Sequence, residues 1–204
     1  MGLVDTPLSG NGNREWRVSV PPTVEPITVD EVKLFARIDG SGEDSLIQTF
    51  IQAARENAER YLGRALIQQI MNMSLDYWPE GSIRLPRPPL ISVSGVYTVD
   101  EDGVRAVYAA SNYLSRVGTI YGEITVRAAK QPPINLNRDR GGIEIDWLAG
   151  YGPAGSNVPA AIRTGLMLWA ATGYENRVVD SAPPPEAAKF LKIYRVHPGV
   201  YTGD

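Results

Sequence analysis

The sequence predicts an α+β protein: a helical body, made of a helix hairpin plus a long C-terminal helix, with an inserted antiparallel β-sheet domain and extended terminal arms. Three observations carry this. The apolar period is 3.6 residues over about 28–62, changes to 2 from Ile67, and returns to 3.6 after Val158. The middle stretch is cut every few residues by turn signals. The chain of 204 residues holds Gly 20 and Pro 16, which suits loops and short strands better than a compact bundle. The implied divisions are an arm over 1–26, a helical hairpin over 27–66, and a β domain over 67–157. A long helix over 158–178 follows, then a linker, short helix and C-terminal docking tail over 179–204.

The elements follow in order. In the arm, Gly10-Asn11-Gly12-Asn13 and Pro21-Pro22 interrupt any period; Trp16, Val18 and Val20 alternate, which reads either as a short strand that pairs only on docking or as part of a disordered tail. Thr28-Val29-Asp30-Glu31 reads as a capping box, with Val32, Phe35 and Ala36 on one face. A second helix starts with Ser41 or Gly42 as cap. Its apolar face is Leu46, Ile47, Phe50, Ile51, Ala54, Ala58, Tyr61 and Leu62, with Glu56 and Glu59 on the exposed side and Gly63 as stop. Met71, Met73, Leu75 and Tyr77 then alternate with polar residues. Strands around 83–85, 91–99, 104–108, 113–117, 124–126 and 143–147 follow, with Asp100-Glu101-Asp102-Gly103 as a hairpin turn. Pro159 opens the next helix, whose face holds Ile162, Leu166 and Trp169 and which packs against the second. Residues 180–185 form a Pro-rich linker, and 186–196 a last short helix with Phe190, Leu191 and Tyr194 on one side.

Composition excludes whole classes of chemistry. With no Cys there are no disulfides, thiolate metal sites or cysteine nucleophiles, and a single His removes mechanisms needing two imidazoles. A net charge of −3 argues against a protein built to coat nucleic acid. No apolar run reaches the roughly 20 residues of a membrane span, and residues 1–5 lack the start of a signal peptide. His197 lies in a Pro-Gly tail without a serine elbow. Asp100, Glu101 and Asp102 lack a twelve-residue calcium loop, and nothing sets Asp139, Glu144 and Asp146 opposite one another. Gly150-Tyr151-Gly152-Pro153-Ala154-Gly155 fits neither phosphate-loop spacing. The expectation is no catalytic, metal or cofactor site, and so no enzyme. What stands out instead is aromatics near the ends, Trp16, Tyr194 and Tyr201, suited to docking on neighbours.

Glu25-Pro26-Ile27-Thr28-Val29-Asp30-Glu31-Val32-Lys33 with Arg37-Ile38-Asp39 resembles the opening of the phage head–tail connector (adaptor, or head-completion) family, which includes the adaptors of phage-derived gene transfer agents. Glu59-Arg60-Tyr61-Leu62-Gly63-Arg64 is similar to that family's Glu-x-x-x-Gly-Arg pattern. Leu85-Pro86-Arg87-Pro88-Pro89-Leu90-Ile91-Ser92-Val93 resembles its Leu-Pro-x-Pro-Pro-Leu-x-Ser-Val stretch. Ala149-Gly150-Tyr151-Gly152, Val158-Pro159-Ala160-Ala161-Ile162 and Tyr174-Glu175-Asn176-Arg177 follow in the family's order, and the resemblance spans about 25–197.

The resemblance implies a structural virion protein that forms a ring, usually of twelve copies, under the portal protein. It would join the portal to a neck or tail protein (stopper or tail terminator) and let DNA pass without sequence-specific binding. No membrane is involved, and assembly takes place in the host cytoplasm. It nominates Phe190, Leu191, Tyr194, Arg195 and Tyr201 for docking on the portal or a partner, beside the arm contact Trp16. The rivals are a tail-completion or stopper protein of the neck, a carbohydrate- or ligand-binding β module using Tyr77, Trp78 and Tyr97, and a hydrolase using Asp/Glu pairs.

Overall fold

The structure, a computed structural model, describes residues 14–136 and 138–196. They form two compact units, one from residues 14–21 and 69–150, the other from 22–68 and 151–196.

The helical unit holds α1 (Val29–Ala36), α2 (Asp44–Leu62), α3 (Ala160–Asn176) and α4 (Pro185–Leu191), which runs into a 3-10 turn at Lys192–Tyr194. The capping box forms: the Glu31 amide donates to Thr28 Oγ1 (3.2 Å), and the Thr28 amide donates to the Glu31 carboxylate (2.9 Å). The second helix is capped by Glu43 rather than Ser41 or Gly42, and with no side-chain bond to its own amides. The Glu43 carboxylate is engaged elsewhere, by the Tyr174 hydroxyl and by Arg177 (2.9 Å). Gly63 ends α2 at φ 67, a left-handed value that glycine adopts without a Cβ clash. Pro159 is the cap of α3 and not its first residue.

One apolar core joins all four helices. It takes Val32 from α1, Ile47, Ile51, Ala54, Ala58 and Leu62 from α2, Ile162, Leu166 and Trp169 from α3, and Ala187 and Leu191 from α4. Each large side chain buried there contributes about 1.5–3 kcal/mol. Gly165 lets α4 lie close on α3, because a Cβ at that position would meet the Leu191 side chain at 2.9 Å.

The other unit holds β1 (Arg14–Val20), β2 (Gln69–Leu75), β3 (Ser82–Leu85), β4 (Leu90–Val99), β5 (Arg105–Tyr108), β6 (Tyr113–Arg116), β7 (Gly122–Val126) and β8 (Ile143–Ala149). Two sheets result where one was expected, in the orders β1-β2-β8-β4-β5 and β3-β7-β6, antiparallel throughout. Strict alternation places Ile143, Ile145, Trp147 and Ala149 of β8 inside, facing Met71, Met73 and Leu75 of β2. The Asp100–Gly103 turn closes as expected, with Gly103 at φ 80 and its amide bonded to the Asp100 carbonyl (3.0 Å).

The N-terminal arm needs correction. Residues 14–20 do not wait for a partner to pair; they add to β2 of the same chain, Trp16 opposite Met73. The open edge of β2 is a template for a further strand, and residues 14–20 of the same chain supply it.

The insertion begins and ends at neighbouring points. Gln69 pairs with Ala149 at the end of the β2–β8 ladder. Just outside it, the Gln68 amide donates to the Gly152 carbonyl (2.9 Å), and the Tyr151 amide to that of Leu66 (3.1 Å).

Candidate assembly surfaces

Among the described residues, no group of three His, Cys, Asp or Glu side chains is placed to hold a metal ion, and no helix is long and apolar enough to cross a membrane. Glu144 and Asp146 both face Arg105, at 3.1 and 2.6 Å, and Asp146 also accepts from Asn72 (2.7 Å). These carboxylates are held as counter-ions rather than arranged across a cleft. Of the aromatics considered for ligand binding, Tyr97 lies under the Arg105 guanidinium at 3.8 Å, Trp78 is half-buried, and Tyr77 is exposed.

The polar chemistry of the helical unit is concentrated where the chain's two end segments meet α2. Glu59, expected on the exposed side of its helix, is buried, and so is Arg55. Arg55 Nε meets the Glu25 carboxylate at 2.7 Å, and Arg55 Nη1 meets Glu59 at 3.4 Å. The other Glu59 oxygen accepts from the Leu66 amide (2.7 Å). Burial by itself would lower the Arg55 pKa, but Glu59 and Glu25 outweigh it and hold the guanidinium above its usual range.

Five residues on, Arg64 Nε donates to the Tyr194 carbonyl (2.5 Å), and the Val196 amide donates to the Leu62 carbonyl (2.8 Å). A Cβ on Gly63 would press on the Val196 carbonyl at 3.3 Å. Arg64 and the close approach at Gly63 therefore fasten the end of the described chain beside the end of α2, while Glu59 holds Arg55 and the Leu66 amide. Spacing alone could not reveal this; the clue available was the Glu-x-x-x-Gly-Arg motif itself.

Two further ties close the unit. Arg163 on α3 bonds the Pro26 carbonyl (3.1 Å) and pairs with Glu31. Burial tends to raise the Glu31 carboxyl, but the Thr28 backbone bond and Arg163 together hold it below the usual range. At the opposite end of α3, Arg177 stacks on Tyr174 (4.9 Å) and pairs with Glu43. The Tyr174 hydrogen bond, then Arg177, lowers the Glu43 pKa; the same bond raises that of Tyr174. The Tyr174-Glu175-Asn176-Arg177 motif is thus a clasp from α3 onto the start of α2.

The nominated docking residues separate. Leu191 is 0 % exposed and belongs to the core, so it presents no surface to a partner in this fold. The nearby exposed apolar positions are Phe190 (39 %) and Ile193 (70 %); the second was not foreseen, because the 3-10 turn after α4 rotates it outward. Tyr194 is half-buried, and Arg195 is exposed with its guanidinium over the Tyr61 ring at 4.8 Å. Tyr201 and His197 lie outside the described residues. Trp16 is half-buried under Arg87 (5.2 Å), so part of its ring is already taken within its own chain. On α1, Leu34 is 85 % exposed, and on the edge strand β5 Val107 is 75 % exposed.

Apolar side chains thus stand exposed on α1, on α4 and the turn after it, and on β5. The sequence profile of the phage gp6-like head-tail connector protein family matches residues 26–101. A chain in the virion of a native gene transfer agent particle shares the fold, with TM-score 0.77, 24 % identity, and coverage of 89 % of this chain and 95 % of that one. A chain in the neck of the empty particle, computed with C6 symmetry, superposes at TM-score 0.74 and 26 % identity, covering 90 % and 95 %. One in the native neck, computed with C12 symmetry, gives 0.72, 26 %, 90 % and 95 %. No curated protein sequence matches the chain. The chain is thus similar to the phage gp6-like head–tail connector proteins over residues 26–101, and along nine-tenths of its length it shares a fold found in the necks of gene transfer agent particles.

Proposed function

We propose that this chain is a structural, non-enzymatic head–tail connector: a subunit of a twelve-copy ring in the neck of a tailed phage or a related particle. The observation that carries the reading is the match to neck chains over nine-tenths of both partners, one of them in a neck computed with C12 symmetry. In this reading the ring sits under the portal protein, joins it to a stopper or tail terminator, and lets DNA pass through its lumen. Assembly takes place in the host cytoplasm and the finished part resides in the virion.

The C-terminal segment docks on the portal through Phe190, Ile193, Tyr194 and Arg195, with Tyr201 beyond them. The fastening of Val196 and Tyr194 to α2 supports this, since it fixes the point from which a docking tail departs and so lowers the entropy lost on binding.

Electron microscopy of the protein mixed with its portal tests the reading. A ring of added density on the portal, with twelvefold averages, is the expected result. A portal unchanged in outline at saturating protein would overturn it.

A further inference from the structure

We propose that neighbouring copies of this chain join edge to edge through the five-stranded sheet, β5 of one copy pairing in parallel with β1 of the next. The proposal rests on the ring reading above and names the surface that closes the ring.

The argument starts from topology. β1 and β5 are the two edges of one sheet. Each of the four intervening pairings is antiparallel, so β1 and β5 run in the same direction. A second sheet set beside the first in the same orientation therefore meets it as a parallel pair. Two different edges of the same chain, each complementary to the other, make a head-to-tail contact, the kind that generates closed rings. Among the described residues, the backbones of Arg14–Val20 and Arg105–Tyr108 make no bonds beyond β2 and β4 respectively, and Val18, Val20 and Val107 stand exposed. Open edges of this kind are templates for another strand.

The register identifies a second copy as the occupant. One row across the sheet reads Arg14, Leu75, Ile143, Thr98, Ala106, and the next reads Glu15, Ser74, Glu144, Tyr97, Val107. Extending these rows sets Arg14 of the next copy beside Ala106, toward the same end of the edge as the acidic tip that precedes β5. It sets Glu15 diagonal to Arg105. Glu101 and Asp102 in that tip are exposed and, like Arg14 and Glu15, form no ion pair among the described residues. The charges that keep these edges from indiscriminate pairing are matched when the two edges face each other.

The chain has no cysteine, so a designed thiol pair reports without interference. Glu15 and Val107 lie in one row, four strand spacings apart, or about 19 Å, far beyond disulfide reach within one copy. In the E15C/V107C double variant, oxidation of assembled rings should give a ladder of covalent multimers on a non-reducing gel. An equimolar mixture of the two single variants should stop at dimers. Rings seen by microscopy whose chains run as monomers would overturn this contact and leave the ring reading standing; absence of any ring or oligomer would overturn both. As a second measurement, Arg14→Glu should weaken assembly about twofold to fivefold per contact, and adding Asp102→Arg should restore it. No change with either substitution would count against the proposed register.

Discussion

The two units of this chain use charge in opposite ways. In the helical unit Arg55, Glu59 and Arg64 are buried: Arg55 ties in Glu25, Arg64 ties in Tyr194, and Glu59 holds Arg55 and the Leu66 amide. In the sheet unit, Arg105, Glu144 and Asp146 lie on a partly solvated face, and cohesion comes from backbone ladders and the apolar alternation of β2, β4 and β8. One unit uses buried ions to lock segments of its own chain; the other leaves two strand edges open. On the proposals made above, tail placement falls to the helices and lateral contact to the sheet.

The largest test of that contrast removes one carboxylate from each unit. Glu59→Ala leaves the buried Arg55 to Glu25 and Glu56 and takes the carboxylate acceptor from the Leu66 amide, and should cost about 2–4 kcal/mol in urea unfolding. Glu144→Ala should cost under about 1 kcal/mol, because Arg105 keeps Asp146 and contact with water. Equal losses would erase the distinction.

A smaller effect separates neighbours on α4. Leu191→Ala empties a core position and should destabilise by about 3 kcal/mol. Phe190→Ala should leave the melting curve within about 0.5 kcal/mol of the parent while weakening capture of the portal in a pull-down. A Phe190 variant that binds the portal as the parent does would remove that residue from the docking surface.

The smallest effect is in acid. The folded-state pKa values of Glu31 and Glu43 are lowered, so both carboxylates favour the fold at neutral pH. That contribution is complete above the ordinary carboxylate value of about 4.5 and fades as pH falls through the lower folded values. Melting temperatures measured from pH 6 to pH 3 should fall less steeply in Glu31→Gln and Glu43→Gln than in the parent. Parallel slopes would mean that neither clasp matters to the fold.

Local patterns were legible in the sequence wherever a residue's role depends on its near neighbours. The Thr28–Glu31 capping box, the Gly63 stop, the Asp100–Gly103 turn and the alternation of β8 all follow from spacing over a few residues. Partnership over long distances was not legible. Nothing in Trp16-Arg17-Val18 names β2, some fifty residues on, as its partner, and periodicity cannot divide eight strands between two sheets. The burial of Arg55 and Glu59 escaped for a related reason. A charged pair four apart on a helix reads as solvated until another segment, here Glu25, is known to cover it. Within the nominated docking set, a period of 3.6 groups Phe190 with Leu191 on one side, but packing against Gly165 decides which of them faces inward.

The paired crossings at Leu66–Tyr151 and Gln68–Gly152 bear on how the chain is made. α2 leaves the ribosome roughly a hundred residues ahead of α3, the helix that covers it. At about 5–20 residues per second, its apolar face waits some 5–20 seconds for that partner. The insertion makes use of the delay. β2 through β8 can fold as soon as they emerge, and once the β2–β8 ladder is closed, the start of the α3 segment is held against the end of α2. The search that would otherwise span the whole insertion becomes a local one. Slowing β-sheet closure, rather than weakening any helix, should then be the surest way to make this chain aggregate during synthesis.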